Sequence, residues 1–221
     1  MAHVAELPGC FAVGTDAPRA VGAVPPSIVA FLSWLKSHGE RLVPEASVSR
    51  PSMADLYVET PVSGSAPAQA GSRAALFDYD KDAWNDEKVE RTLRWLGYSR
   101  ADLLARVGNG SEEALKSRLV APGRSAWDTL HHIANAEYGY INRLAGPLEG
   151  VEAVTAKTPQ DARERLAAVR EIVERRARAI PAEKRGDIIY PTWASRPDEP
   201  WTLAKSLRRA IEHELEHLKE L

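Results

Sequence analysis

The sequence has few of the residues that stabilise a small protein covalently or hold it in a membrane. Cys10 is the single cysteine among the 221 residues, which excludes an internal disulfide and any zinc site built from several cysteines. No apolar run approaches the roughly 20 residues of a membrane-spanning helix, so we expect no membrane partner. The chain begins without a basic segment followed by an apolar one, so we expect no secretion signal and a cytoplasmic location.

The sequence also lacks an excess of charge of either sign. Lysine and arginine together number 29, against 31 for aspartate and glutamate. This balance gives no general attraction to nucleic acid or anionic lipid, so we expect no nucleic-acid partner. Hydrophobic residues make up 44% of the chain, which is enough to build a packed core.

The pattern along the chain predicts two parts joined by a linker. Residues 61–78 are rich in Pro, Gly, Ser and Ala and lack a hydrophobic period, so they are interpreted as a linker. Residues 1–60 predict a small ββαβ module, whose last strand is "ADLYVETPV". Residues 79–221 contain only helical patterns. The expected class is therefore α+β and mainly α, with a helical bundle after a small β/α module.

Four amphipathic helices are predicted in the second part, over about 82–106, 125–144, 158–180 and 202–221. Ser125 and Thr202 are typical N-caps for the second and fourth of them. Thr158 followed by Pro159 is a typical start for the third. Four amphipathic helices of about 20 residues each predict a four-helix bundle.

Histidines are concentrated on two of these helices. His213 and His217 are four residues apart at one edge of the apolar face of the fourth helix, where neighbouring Cβ atoms lie about 5–6 Å apart. Two imidazoles at that spacing can bind one ion, at about 2.0–2.1 Å each. His131 and His132 flank the apolar face of the second helix, and the spacing does not choose between them. Since a bundle builds metal sites from facing helices, one of this pair is the expected third ligand, which leaves an open, catalytic position.

Two carboxylates fall on apolar faces of the same helices. Glu137 lies on the second helix and Glu214 on the fourth, where a buried carboxylate needs a partner. One interpretation is catalytic: either residue holds a ligand histidine in place or acts as a general base. The other is an ion pair with Arg143 or another arginine inside the bundle.

The string "HELEH", residues 213–217, also matches the H-E-x-x-H pattern of zinc proteases. That interpretation is weaker, because only four residues follow His217 to supply a third ligand and no substrate-binding strand is predicted beside the helix. A di-metal bundle site is disfavoured too. It needs two Glu-x-x-His elements, and these helices provide only the one that ends at His217.

At "WDTLHHIANAE" and "WTLAKSLRRAIEHELEHLKEL" the chain resembles the DinB/YfiT-like superfamily of metalloenzymes. His132-Ile133-Ala134 matches the family's His-Leu/Ile-Ala element, and His213 and His217 match its His-x-x-x-His. The resemblance covers roughly 79–221. It implies a four-helix bundle with a long crossover between the second and third helices. It also implies that His132, His213 and His217 hold a divalent ion such as Zn, Ni, Mn or Fe. Leu218-Lys219-Glu220 departs from the Arg and Gln that many members carry there.

The resemblance implies a metal-dependent transferase or hydrolase that acts on a small-molecule substrate, with a low-molecular-weight thiol as a possible second cofactor. Residues 1–60 resemble a HicB-like domain through "HVAELPGCFAVGTDAPRAV" and "WLKSHGE", without a DNA-binding segment. That second resemblance favours an alternative, in which a non-catalytic, metal-stabilised module binds a protein partner or forms a homodimer through its first half.

Overall fold

The computed structural model describes residues 1–41, 52–58, 75–147, 149–150, 152 and 161–221. These residues form two compact units, Met1–Tyr79 and Asp80–Leu221. The described residues are mainly helical, with small two-stranded sheets, which confirms the expected class. No helix in the described part of the chain is both long enough and apolar enough to span a membrane.

The first unit begins with two short antiparallel strands, β1 (Ala2–His3) and β2 (Phe11–Ala12). The turn between them places Gly9 at φ 98°, a backbone conformation that glycine adopts without steric cost. Helix α1 (Ala17–Gly22) follows, and helix α2 (Val24–Ser37) packs against β2. The predicted strands and helix are therefore present.

The predicted third strand is wrong over the residues that the structure describes. Met53–Asp55 form a 3₁₀ turn and 56–58 have no regular structure. Tyr57 is 93% exposed and Val58 54%, so the apolar side chains of the alternating pattern have no surface on which to pack. The rest of that strand and residues 61–74 of the predicted linker lie outside the described residues.

The second unit contains the predicted bundle. Its elements, in chain order, are α3 (Asp86–Val107), α4 (Glu112–Ser117), β3 (Leu119–Ala121), β4 (Arg124–Ser125), α5 (Ala126–Ala145), α6 (Ala162–Ala179) and α7 (Leu203–Leu218). Helix α5 packs against α6 and α7, and α3 packs against α7 and α6, so these four helices enclose one core. Strands β3 and β4 pair as a small hairpin directly before α5.

The first residues of α5, α6 and α7 show which predicted N-caps begin a helix. The Ser125 side chain accepts a hydrogen bond from the backbone of Asp128, whose carboxylate accepts one from the Ser125 N–H, so α5 begins with a capping box. Thr202 caps α7 in the same way as predicted. Helix α6 has its cap at Asp161, and the predicted start at Thr158 and Pro159 lies outside the described residues.

Four buried charged residues, one from each helix, contact one another in the core of the bundle. Arg100 of α3, Glu137 of α5, Arg170 of α6 and Glu214 of α7 are between 1% and 8% exposed. We call them the Arg–Glu cluster. Arg100 Nη2 lies 2.7 Å from both Glu137 Oε2 and Glu214 Oε2, and Arg170 Nε donates to Glu137 Oε1.

Hydrogen bonds from outside the cluster complete it. Ser99 Oγ donates to Glu214 Oε1 at 2.6 Å, and the two arginines donate to the backbone carbonyls of Leu166 and Leu96 at 2.7 Å each. Although burial raises the pKa of Glu214, the guanidinium groups of Arg100 and Arg170 hold it below its ordinary value. Two positive and two negative charges are therefore neutralised inside the core, the condition under which buried ion pairs are tolerated.

A second polar group fixes the start of α7. Lys205 is fully buried, and its Nζ donates to Glu199 Oε1 at 3.2 Å and to the carbonyl of Pro200 at 2.7 Å. Nζ also lies 4.2 Å from the centre of the Trp201 ring, a cation–π contact. Burial lowers the pKa of Lys205 to about 8 from an ordinary value of 10.5.

The first prediction concerns the Arg–Glu cluster. Glu214→Gln leaves two buried guanidinium groups with one carboxylate, so we expect the free energy of unfolding to fall by about 3–5 kcal/mol. Urea unfolding at pH 7, followed by helical circular dichroism, measures this. The control is Glu174→Gln, which breaks a half-exposed pair with Arg178 and should cost no more than about 1 kcal/mol. Equal losses in the two variants would contradict the structural role of the cluster.

The second prediction concerns Lys205. Between pH 8 and 10.5 the unfolded chain holds a proton on this residue that the folded chain has lost. Its contribution to the free energy of unfolding must therefore rise with pH in that window, by up to about 1.4 kcal/mol per pH unit. Lys205→Met should remove this rise, whereas Lys184→Met, at an exposed position, should keep it. Urea unfolding at several pH values gives the slopes, and identical slopes for wild type and Lys205→Met would exclude the lowered pKa.

Candidate metal centre

Three imidazoles from two helices meet at one point. His132 projects from α5, and His213 and His217 project from successive turns of α7. His213 Nε2 lies 3.1 Å from His132 Nε2 and 3.2 Å from His217 Nε2. One ring nitrogen from each residue lies within 4.8 Å of the other two. We call these residues the three-histidine cluster.

The separations fit a metal ion. Two nitrogens bound to one ion at about 2.0–2.1 Å in tetrahedral geometry are about 3.3 Å apart. The separations of 3.1 and 3.2 Å both lie close to this value. Three histidines occupy at most three of the four tetrahedral positions. The donor set therefore matches a centre with three protein ligands and one open position, the arrangement of catalytic zinc.

The protonation of the cluster also suits a metal ion. Burial, the neighbouring imidazoles and the guanidinium groups of Arg209 and Arg124 lower the pKa of His213 to about 2. Burial, followed by the effect of His217, lowers the pKa of His132 as well. Both rings are therefore neutral at physiological pH. Neutral imidazole is the form that binds metal, so little proton release opposes binding at these positions.

Glu220 is a carboxylate of the site that the sequence interpretation missed. Its Oε2 lies 2.7 Å from His217 Nδ1. Helix α7 ends at Leu218, and the turn that follows brings Glu220 back over His217, with the Glu220 N–H donating to the His217 carbonyl at 3.1 Å. A hydrogen bond from Nδ1–H to this carboxylate leaves the Nε2 lone pair of His217 directed at the cluster. The i, i+3 spacing was the available signal.

The structure separates His131 from His132. His131 Nδ1 lies 2.6 Å from Arg165 Nη1, and its ring packs 3.9 Å from the ring of Trp127, centre to centre. Adjacent helix positions differ in direction by about 100°, so only one of the two rings can face α7. The structure places His132 there, in agreement with the residue that the family resemblance implied.

Glu137 and Glu214 lie in the Arg–Glu cluster. Their carboxylates bond to Arg100 and Arg170, with Ser99 as a further donor to Glu214. This is the ion-pair interpretation, with arginines other than Arg143. Arg143 donates instead to the carbonyl of Gly139. The carboxylate bonded to a cluster histidine is that of Glu220, and a catalytic role for Glu137 or Glu214 stays a prediction.

Tyr140 and Arg209 lie near His213. The Tyr140 ring stands perpendicular to that of His213 at 6.1 Å between centres and stacks on Trp201 at 5.4 Å. Burial raises the pKa of Tyr140, so its hydroxyl stays protonated. Arg209 Nη1 bonds to Glu212 at 2.8 Å.

A cavity of about 410 Å³ opens elsewhere on the bundle. Its lining includes Leu144, Arg176, Ile180 and Leu203. Leu203 begins α7 and His213 lies ten residues further along, which corresponds to a rise of about 15 Å. This cavity therefore does not belong to the three-histidine cluster.

Comparison with known proteins identifies the family of this chain. The family model of the DinB superfamily matches residues 67–221. The chain belongs to the DinB superfamily. The match includes the whole DinB-like bundle and all three clustered histidines. It does not reach most of the first unit and gives no support to the HicB-like resemblance, which stays a prediction. Comparisons with curated proteins and with solved structures found no significant match.

The third prediction concerns Glu220. Glu220→Ala removes the acceptor that orients His217, and loss of such a partner usually lowers metal affinity about 10- to 100-fold. We expect a fall in that range for Zn²⁺, measured by competition with a chelating dye. Glu220→Gln should lose less, because the amide oxygen still accepts a hydrogen bond. Lys219→Ala, at the adjacent exposed position, is the control. Unchanged affinity in Glu220→Ala would show that the contact does not orient a ligand.

Proposed function

We propose that His132, His213 and His217 hold one divalent metal ion and that the protein is a metal-dependent enzyme for a small-molecule substrate. The observation that carries this proposal is the convergence of three Nε2 atoms, with separations of 3.1 and 3.2 Å. Membership of the DinB superfamily supports it. The ligands come from facing helices of one bundle, which is where such folds build metal sites.

The donor set favours particular metals. Imidazole nitrogens suit zinc, iron and nickel, whereas magnesium, calcium and manganese prefer oxygen ligands. The proposed ligands are all nitrogens, so we expect Zn, Ni or Fe in preference to Mn. When bound, such an ion acts as a Lewis acid on a substrate oxygen and lowers the pKa of a bound water or thiol.

The surrounding residues prepare the site for that chemistry. Glu220 holds His217 in the orientation that directs Nε2 at the cluster. His213 and His217 are only 9% and 8% exposed, and a poorly hydrated site strengthens electrostatic interactions within it. His132 is half-buried and marks the side of the cluster nearest to solvent, from which a substrate would approach. From the family resemblance we further propose a low-molecular-weight thiol as cofactor, with transferase or hydrolase chemistry.

The alternative function is a structural ion in a non-catalytic module that binds a protein partner. The low exposure of His213 and His217 favours this alternative, because a structural ion is closed to solvent. The two functions differ in one property. An enzyme leaves the ion a position that accepts an added ligand, whereas a structural ion has none.

The fourth prediction tests the ligand set. His132→Ala and His217→Ala should each lose most of the bound metal, because two remaining nitrogens bind an ion much more weakly than three. The measurement is elemental analysis of protein loaded with one equivalent of Zn²⁺ and then passed over a desalting column.

His131→Ala is the matched control for this measurement, since it removes the adjacent histidine of the same helix, which lies against Trp127 and Arg165. It should keep a full equivalent of metal. Equal metal content in all three variants would eliminate the three-histidine cluster as the binding site.

A further inference from the structure

Arg124 lies beside the three-histidine cluster. It belongs to β4, directly before the helix cap Ser125, and its side chain is 30% exposed. Its Nη1 lies 3.8 Å from Glu220 Oε2, and the same oxygen bonds to His217 Nδ1 at 2.7 Å. The guanidinium group is therefore one carboxylate away from a proposed metal ligand, at a position that solvent reaches.

The guanidinium group of Arg124 donates no hydrogen bond to another residue in the described part of the chain. A distance of 3.8 Å to Glu220 is an ion contact but exceeds the range of a hydrogen bond. Two other arginines near this end of the bundle do form hydrogen bonds through their guanidinium groups. Arg209 bonds to Glu212 at 2.8 Å, and Arg118 donates to the carbonyl of Leu221. Arg124 thus presents a planar group of donors whose geometry matches a carboxylate.

The charge around the cluster favours an anionic ligand. Imidazole ligands bring no negative charge, so a divalent ion bound by the three-histidine cluster would keep its full double charge. Arg124 adds a positive charge one carboxylate away from His217, through the contacts of Glu220 with both residues. Glu220 contributes one negative charge, which opposes a dianion such as phosphate more strongly than a carboxylate.

We propose that Arg124 binds a carboxylate of the substrate at the open side of the three-histidine cluster. The substrate is then a small carboxylic acid whose reactive group reaches the metal while its carboxylate is held by the guanidinium group. This inference rests on the proposed function, because it assumes an ion with an open position. It adds a substrate class and a residue that selects it.

The test uses protein loaded with Co²⁺, whose visible absorption changes when a thiol binds to the ion. The probes are mercaptoacetate, 3-mercaptopropionate and 4-mercaptobutyrate, each compared with the neutral alcohol of the same length. The affinity ratio of acid to alcohol measures the contribution of the carboxylate at each length. Wild type, Arg124→Gln and Arg124→Lys are compared with Arg175→Gln, which removes an arginine charge from a position that is 57% exposed.

We expect wild type and Arg175→Gln to prefer at least one acid over its alcohol. Arg124→Gln should lower that preference about tenfold, the effect of losing one charge-assisted hydrogen bond, with alcohol affinity and cobalt content unchanged. Arg124→Lys should lie between, since it keeps the charge and loses the planar donors. If wild type and Arg124→Gln show the same acid-to-alcohol affinity ratio, with full cobalt content and clear thiol binding, the role of Arg124 is overturned. The proposed metal-dependent function is not affected by that result.

Other outcomes overturn the proposed function instead. Full cobalt content without a spectral change for any thiol would show an ion without an open position, which supports the structural alternative and removes the inference with it. A wild-type protein that takes up no cobalt would overturn both. Loss of cobalt in Arg124→Gln alone would mean that the residue acts on the ligands through Glu220, which contradicts a substrate-binding role.

Discussion

The Arg–Glu cluster is the constraint on which the rest of the DinB-like bundle depends. It takes one charged residue from each of the four helices, and each carboxylate contacts both guanidinium groups. Burying any one of these charges without its partners is costly, so the four helices can assemble only in the register that brings them all together. Apolar packing alone tolerates small shifts of one helix along another far better than this network does.

That register also brings the histidines together. Glu214 directly follows His213 on α7, and Glu137 is five residues after His132 on α5. A shift of one residue moves a side chain by about 1.5 Å along a helix and turns it by about 100°. Such a shift in either helix would separate His132 Nε2 from His213 Nε2, which now lie 3.1 Å apart. The Arg–Glu cluster therefore fixes the geometry of the three-histidine cluster, although it contributes no metal ligand.

The sequence predicted those features that depend on local spacing. The caps at Ser125 and Thr202, and the shared face of His213 and His217, follow from residues within one turn of each other, and the structure agrees with each. A family resemblance was needed to choose His132 over His131, because both positions flank the same apolar face. In the structure His131 contacts Arg165, which is 34 residues away in the sequence, and Trp127, one turn earlier on α5, whereas His132 lies against the histidines of α7.

Features that depend on distant residues could not be predicted in this way. Glu137 and Glu214 were identified as buried carboxylates that need partners. Arg100 and Arg170 are the partners, and they come from two other helices whose rotation the sequence does not fix. The predicted third strand of the first part is wrong because alternating apolar and polar residues form a strand only where one face of it is buried. Tyr57 and Val58 are exposed.

X-ray absorption spectroscopy of the zinc-loaded protein tests most directly whether three histidines share one ion. The geometry predicts three imidazole nitrogens at about 2.0–2.1 Å, with the multiple scattering that imidazole rings produce and one further light atom. A spectrum with oxygen neighbours alone, or with fewer than three imidazoles, would contradict the metal centre and the function built on it.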